Sequence, residues 1–260
     1  MTEFATAPDG VRIAYERVGE GPPVVLVHGF GSNRFQNWRS PGWYDTLTSA
    51  GYSVVALDNR GHGESDKPHE PSAYSEERMA EDVALAMRAA GCERAFVMGY
   101  SMGGAITLRL THAHSERVRA AITGGVGASY FTRDENWRTA IAEGILTADD
   151  SPLTPVQRMF RSFARQAGKD PVALAACMRA SRQPLSREQL AGLSLPMLAV
   201  CGETDDVSGP AEALASALGN ARAVTVPRRD HMLTVGDKVY MQAVLQFLND
   251  GADRLLFPQP

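Results

Sequence analysis

Residues 94–112 read Arg-Ala-Phe-Val-Met-Gly-Tyr-Ser-Met-Gly-Gly-Ala-Ile-Thr-Leu-Arg-Leu-Thr-His. Arg94–Gly99 is a short apolar run with the length of a strand buried on both faces. Ala105–His112 reads as a helix. Between them Gly99-Tyr100-Ser101-Met102-Gly103 fits the pattern G-x-S-x-G. A chain that passes from strand to helix in so few residues must hold the central serine in a strained backbone conformation. Side chains at the flanking positions would collide, so glycine is needed there. The five residues alone carry little weight; the strand–turn–helix context gives them meaning.

The same grammar extends in both directions. Upstream, Val24-Val25-Leu26-Val27 is a buried strand that ends in His28-Gly29-Phe30-Gly31-Ser32, and Gly51–Leu57 is another that ends in Asp58-Asn59-Arg60-Gly61-His62-Gly63. Val11–Val18, behind the turn Asp9-Gly10, reads as part of an early hairpin. Ser75–Ala90 has helical spacing, with Met79, Val83, Met87 and Ala90 on one face and Gly91 as a stop. Downstream, Arg117–Thr123, Leu195–Val200 and Arg222–Val226 read as strands, and Glu212–Leu218 and Val239–Leu248 as helices. Strands alternating with helices predict an α/β fold with a doubly wound, mostly parallel sheet, whose site lies at the carboxyl ends of the strands. From about residue 126 to 190 the pattern is helical only, punctuated by Pro152, Pro155, Pro171 and Pro184. This predicts a helical cap, residues 126–190, inserted between two late strands of a core made of residues 1–125 and 191–260.

Composition narrows the function classes. A net charge of −4, with Arg scattered among Asp and Glu, lacks the basic footprint of a nucleic-acid binder. The N-terminus shows no basic start followed by an apolar stretch, and no apolar run is long enough to span a bilayer. The chain therefore reads as a soluble cytoplasmic protein without a membrane partner, although a mature secreted chain would look similar. Cys92, Cys177 and Cys201 are odd in number and widely spaced, which gives neither a disulfide framework nor a metal-ligand pattern. Cys201, inside the apolar run Met197–Cys201, reads as a buried thiol.

The chain resembles the α/β-hydrolase family over nearly its whole length, from about Phe4 to Leu248. His28-Gly29-Phe30-Gly31 is similar to the family's oxyanion loop, Asp58–Asp66 to its D-x-R-G-x-G-x-S segment, and Gly99–Gly103 to its nucleophile elbow. The resemblance implies Ser101 as nucleophile, followed in chain order by an acid and a histidine. A serine hydroxyl needs a base to attack, and the base needs a third group to hold its tautomer. Of the histidines after Ser101, His112 and His114 fall at the end of the predicted helix and read as solvent-facing. His231 follows the last strand, which makes it the expected base. Asp230 stands before it, where many relatives have glycine. Among Glu203, Asp205 and Asp206, the family's G-x-x-D spacing selects Asp205, with Asp206 as rival. No acid occurs from Ala120 to Arg133, which argues against relatives that place the acid one strand earlier. Backbone N–H groups of Phe30 and Met102 are expected to form the oxyanion hole. His28 and His62 read as structural.

These residues predict a serine hydrolase acting on carboxylic ester-type bonds of a small molecule, with no cofactor and no metal. Lactonases, carbon–carbon bond hydrolases, cofactor-free haloperoxidases and hydroxynitrile lyases share the triad, and a ligand receptor that retains it is the reading of another class. Epoxide hydrolases and haloalkane dehalogenases are disfavoured, because they use Asp where Ser101 stands. In the expected cap, Tyr130, Phe131, Trp137, Met159, Phe160, Phe163 and Met178 are the larger apolar side chains that either pack it on the core or line an apolar pocket.

Overall fold

The computed structural model describes residues 1–132, 135–148 and 153–256. Its strands are β1 (Glu3–Thr6), β2 (Arg12–Val18), β3 (Pro23–Val27), β4 (Ser53–Leu57), β5 (Ala95–Tyr100), β6 (Val118–Gly124), β7 (Met197–Gly202) and β8 (Ala221–Val226). They form one sheet in the order β1-β2-β4-β3-β5-β6-β7-β8. The β1·β2 and β2·β4 pairings are antiparallel and the remaining ones parallel. The helices are α1 (Trp43–Ser49), α2 (Glu76–Ala89), α3 (Met102–Ala113), α4 (Glu135–Leu146), α5 (Pro155–Ala164), α6 (Pro171–Arg179), α7 (Arg187–Ala191), α8 (Ala211–Ala215) and α9 (Lys238–Leu256).

The continuous apolar strands work because side chains alternate between the two faces of the sheet. Val25, Val27, Val55, Leu57 and Val97 enter one cluster, with Met79, Val83 and Met87 of α2 and Ile106 and Leu110 of α3. Val24, Leu26, Val54, Ala56, Phe96 and Met98 enter the other, with Trp43 and Leu47 of α1 and Tyr240, Val244 and Phe247 of α9. Each such fully buried side chain is worth roughly 1.5–3 kcal/mol relative to exposure. A parallel sheet covered on both faces leaves its strand ends as the place for a site.

Between β6 and β7 run α4–α7. Ile141, Ala142 and Ile145 of α4, Ala164 of α5, and Leu174, Ala175 and Met178 of α6 form a third apolar cluster, distinct from the two on the sheet. Pro155 and Pro171 stand at the first positions of α5 and α6, where the missing N–H costs nothing. They open these helices rather than break them. Pro152 lies outside the described residues.

Some boundaries differ from the sequence expectation. β1 has four residues, one of them buried, too few for a visible alternation. α1 was not legible in Trp43–Ser49, a two-turn helix held by tertiary packing of Trp43, Tyr44 and Leu47. α3 begins at Met102 rather than Ala105, because Gly103 and Gly104, poor helix formers, are imposed by crowding described below. α9 extends to Leu256. Among the described residues no helix is long and apolar enough to cross a membrane.

The loop after β4 is fastened to the core by Arg60, which is 2% exposed. Its Nε and Nη2 donate to the buried Asp82 carboxylate at 2.6 and 2.8 Å, and its Nη1 donates to Ala73 O at 2.7 Å and Asp9 at 2.8 Å. Removing one partner of a buried ion pair leaves an uncompensated charge. Asp82→Ala is expected to destabilise the fold by about 3 kcal/mol, read by urea unfolding. A loss below about 1 kcal/mol would mean that Asp9 and Ala73 alone satisfy the guanidinium.

Candidate active site

In chain order the sheet grows from β3 outward to β4 and then jumps back past β3 to β5. The loops after β3 and β5 therefore diverge at the switch point, where open α/β sheets leave a crevice. Ser101 follows β5 with φ 53° and ψ −115°, a conformation that non-glycine residues avoid. Its N–H donates to Gly124 O at 2.7 Å, which ties the turn to β6. The flanking glycines are sterically required. A Cβ on Gly99 would lie 2.0 Å from Gly103 O, and one on Gly103 would lie 2.0 Å from Val27 O.

Ser101, His231 and Asp205 meet. His231 Nε2 is 3.0 Å from Ser101 Oγ, and His231 Nδ1 is 2.9 Å from Asp205 Oδ2. These distances suit a hydroxyl that gives its proton to an imidazole whose other nitrogen is held by a carboxylate. Asp205 is buried and Ser101 partly so. Burial acts to raise the Asp205 carboxyl. The hydrogen bond from His231 and its charge, together with the N–H and hydroxyl of Ser208, outweigh burial and hold it below its ordinary value. Asp206 is exposed, and its N–H bonds to Thr204 O. Glu203 accepts the Arg228 N–H at 2.7 Å, linking the loop after β7 to the loop after β8.

Asp230, the residue that replaces the relatives' glycine, has its own work. Its Oδ1 accepts the N–H groups of Met232 and Leu233 at 3.0 and 2.8 Å, and its carbonyl accepts the Thr234 hydroxyl at 2.7 Å. These bonds close a turn immediately behind His231. Tyr100, the variable residue before the serine, donates its hydroxyl to His231 O at 2.5 Å. Ser208 Oγ is 3.0 Å from His231 Nδ1. No motif carried these three residues in the sequence: Tyr100 and Ser208 act across loops distant in the chain, and Asp230 closes a local turn.

The loop after β3 arches over the serine. The place of a Cβ on Gly29 is 3.4 Å from Ser101 Cβ. Gly29 N–H donates to Asn37 Oδ1 at 3.0 Å, while the Phe30 N–H meets no acceptor among the described residues. Met102 is the first residue of α3, so its N–H has no intrahelical acceptor. His28 is buried and fixes this arch. Its Nε2 accepts the Asn59 N–H at 2.9 Å, which leaves the proton on Nδ1, 2.7 Å from Gly29 O. Burial pushes His28 down to about 4 and His62 down to about 3, so both rings are neutral. Asp58 braces the same loop, accepting the Arg34 N–H and the Glu64 N–H at 2.8 Å and pairing with the Arg34 guanidinium.

The remaining sequence candidates lie elsewhere. His112 is exposed at the end of α3, and His114 contacts Glu81 at 2.7 Å. Cys92, Cys177 and Cys201 are free and buried. Tyr130 is buried and its hydroxyl accepts the Leu185 N–H; Met178 belongs to the third apolar cluster; Met159 is 42% exposed. Phe131 packs under Arg187. Phe160 stands 5.8 Å from the Phe30 ring and 5.7 Å from Trp137.

Residues 22–140 match the family model described as the alpha/beta hydrolase fold. A solved hydrolase from Pseudomonas aeruginosa PA01 superposes with TM-score 0.77 at 26% identity, covering 95% of this chain and 98% of that one. An esterase from Thermogutta terrifontis gives TM-score 0.77 at 25% identity, covering 96% and 99%. Bifunctional epoxide hydrolase 2 of Sus scrofa is 36% identical over 111 residues, 43% of this chain and 20% of that protein. The chain spans between 20% and 43% of the length of the first curated relatives that it matches. The sheet order, the strained serine at the switch point and these matches agree: the chain has the α/β-hydrolase fold.

The two neutral histidines have a consequence for stability. Below their ordinary value of 6.5 the unfolded chain takes up protons on these imidazoles, while the folded chain refuses them until pH about 4 and 3. Their contribution is complete above pH 6.5 and is lost as the pH falls toward 4. Unfolding free energy is expected to drop by more than about 1 kcal/mol per pH unit across this window, and less steeply in His62→Gln. A mutant with the wild-type slope would contradict this origin.

Proposed function

We propose that the chain is a serine hydrolase that cleaves carboxylic ester-type bonds of small, partly apolar molecules through an acyl-enzyme intermediate. The reading rests above all on the 3.0 Å contact between His231 Nε2 and a serine that is held in an unfavourable backbone conformation at a switch point. Ser101 attacks the carbonyl as His231 takes its proton. His231 then protonates the leaving alcohol and afterwards activates water to release the acid. Asp205 orients His231 and stabilises its cation. The N–H groups of Phe30 and Met102 stabilise the oxyanion. The scheme uses no metal and no organic cofactor.

The relatives named as epoxide hydrolases share the fold. That chemistry, as the family resemblance describes it, needs an Asp nucleophile, and Ser101 stands at the position. In this reading residues 126–190 act as a cap on the core of residues 1–125 and 191–260. Support comes from Phe160 beside Phe30, and from the Phe163 ring 2.8 Å from the place of a Cβ on Gly31. Met102, next to the serine in the chain, meets Cys177 Sγ at 3.8 Å and Arg182 Nη2 at 3.5 Å through its Sδ. The aromatic rings beside Phe30 and Gly31 suit an apolar acyl or alcohol part.

The test is hydrolysis of p-nitrophenyl esters of graded acyl length. Ser101→Ala and His231→Ala are expected to lower kcat roughly a thousandfold or more in folded protein. Near-normal turnover by Ser101→Ala would sink the mechanism. Asp205→Asn is expected to cost more than about a hundredfold and Asp206→Asn less than about twofold; the reverse order would move the acid by one position. Chelators are expected to leave the rate unchanged, and restoration of chelated enzyme by one metal would contradict the scheme.

A further inference from the structure

The short turn that carries the acid contains a hydroxyl for which the triad scheme has no use. Asp205 Oδ1 is occupied by two backbone donors, Val207 N–H at 3.0 Å and Ser208 N–H at 2.8 Å. Oδ2 is left for His231 Nδ1 at 2.9 Å. Ser208 Oγ lies 3.0 Å from that same nitrogen. Ser208 is 1% exposed, and its carbonyl accepts the Ser129 N–H at 2.9 Å, so its place is set from two sides.

We propose that Ser208 is a positioning residue that bridges Asp205 and His231 and sets how much of the carboxylate's charge the imidazole receives. The inference rests on the serine-hydrolase reading above. The ionised carboxylate only accepts and Nδ1 carries one hydrogen, shared between Asp205 Oδ2 and Ser208 Oγ. The hydroxyl hydrogen of Ser208 is therefore free to donate to the carboxylate, in keeping with its part in holding the Asp205 carboxyl low. Two contacts on Nδ1 also fix the imidazole plane more firmly than one. The other titratable groups packed around this contact are Tyr100, Tyr240 and Cys201. Burial raises both phenols far above their ordinary value and pushes the thiol up to about 12, so all three are uncharged at working pH. Asp230, Arg229 and Arg228 precede His231 in its loop, but Asp205 is the charge hydrogen-bonded to its ring, and Ser208 modulates it.

Without the hydroxyl the carboxylate loses a donor and attracts the imidazolium more strongly. In Ser208→Ala the acid limb of kcat/KM for p-nitrophenyl butyrate is expected to move up by roughly half a pH unit. The plateau kcat is expected to fall about fivefold with KM within about twofold, because Ser208 does not touch substrate. The same shift is to be read without turnover, by NMR titration of the His231 ring in Ser101→Ala protein with and without Ser208→Ala. An upward shift in that titration supports the bridge. A midpoint unchanged within about a tenth of a unit in folded protein overturns it. If wild type hydrolyses no ester, the serine-hydrolase reading fails and the titration still judges Ser208. Should the alanine variant not fold, Ser208→Cys, of similar shape but a weak donor, is read by the same titration.

Discussion

There is no room for a methyl group at Gly103. The carbonyl oxygens of Val27 and His28 would stand 2.0 and 2.7 Å from it. This close approach of α3 to the end of β3 fixes the rest. It brings the loop after β3 over Ser101, forces the serine to φ 53°, and points the first turn of α3 at the same spot. The strained residue costs of order 1–3 kcal/mol, and the surrounding sheet must over-determine it. The sheet does so with strands buried on both faces and with the Ser101 N–H bound to Gly124.

Around this elbow the polar groups form ties rather than isolated pairs. Asp58 bonds two backbone N–H groups and Arg34, His28 bridges Asn59 and Gly29, and Asn37 takes the Gly29 N–H. The loops after β7 and β8 are joined in the same manner through Glu203 and Asp205, and Tyr100 ties the end of β5 to the loop after β8. Each buried polar atom that finds its partner avoids a desolvation penalty of about 1–3 kcal/mol.

Much of this was legible in the sequence where chemistry is local. The runs at Val24–Val27 and Ala95–Gly99 announce strands, and G-x-S-x-G names its own turn. The residues Ser101, Asp205 and His231, singled out in the sequence, are brought within hydrogen-bond distance of one another. What the sequence hid are ties between segments far apart. Asp230, which departs from the relatives' pattern, is a local exception: its carboxylate caps the turn behind His231. Asn37 sits in a short π-helical turn that no periodicity announces. Ser208 and Tyr100 acquire their meaning only when the loops after β5, β7 and β8 converge.

The block between β6 and β7 keeps an apolar cluster of its own, made by Ile141, Ile145, Leu174, Met178 and their neighbours. Its packing and that of the sheet meet at Phe30 and in α6, whose Ala176 and Cys177 belong to the sheet's cluster, whereas the buried apolar residues of α4 and α5 lie outside it. Substitutions at Ile141 and Ile145 would reshape the surroundings of Phe30 while the sheet retains its two cores. The architecture is therefore modular in a practical sense: a library restricted to α4 and α5 explores new shapes beside Phe30 without spending the stability that the strained elbow requires.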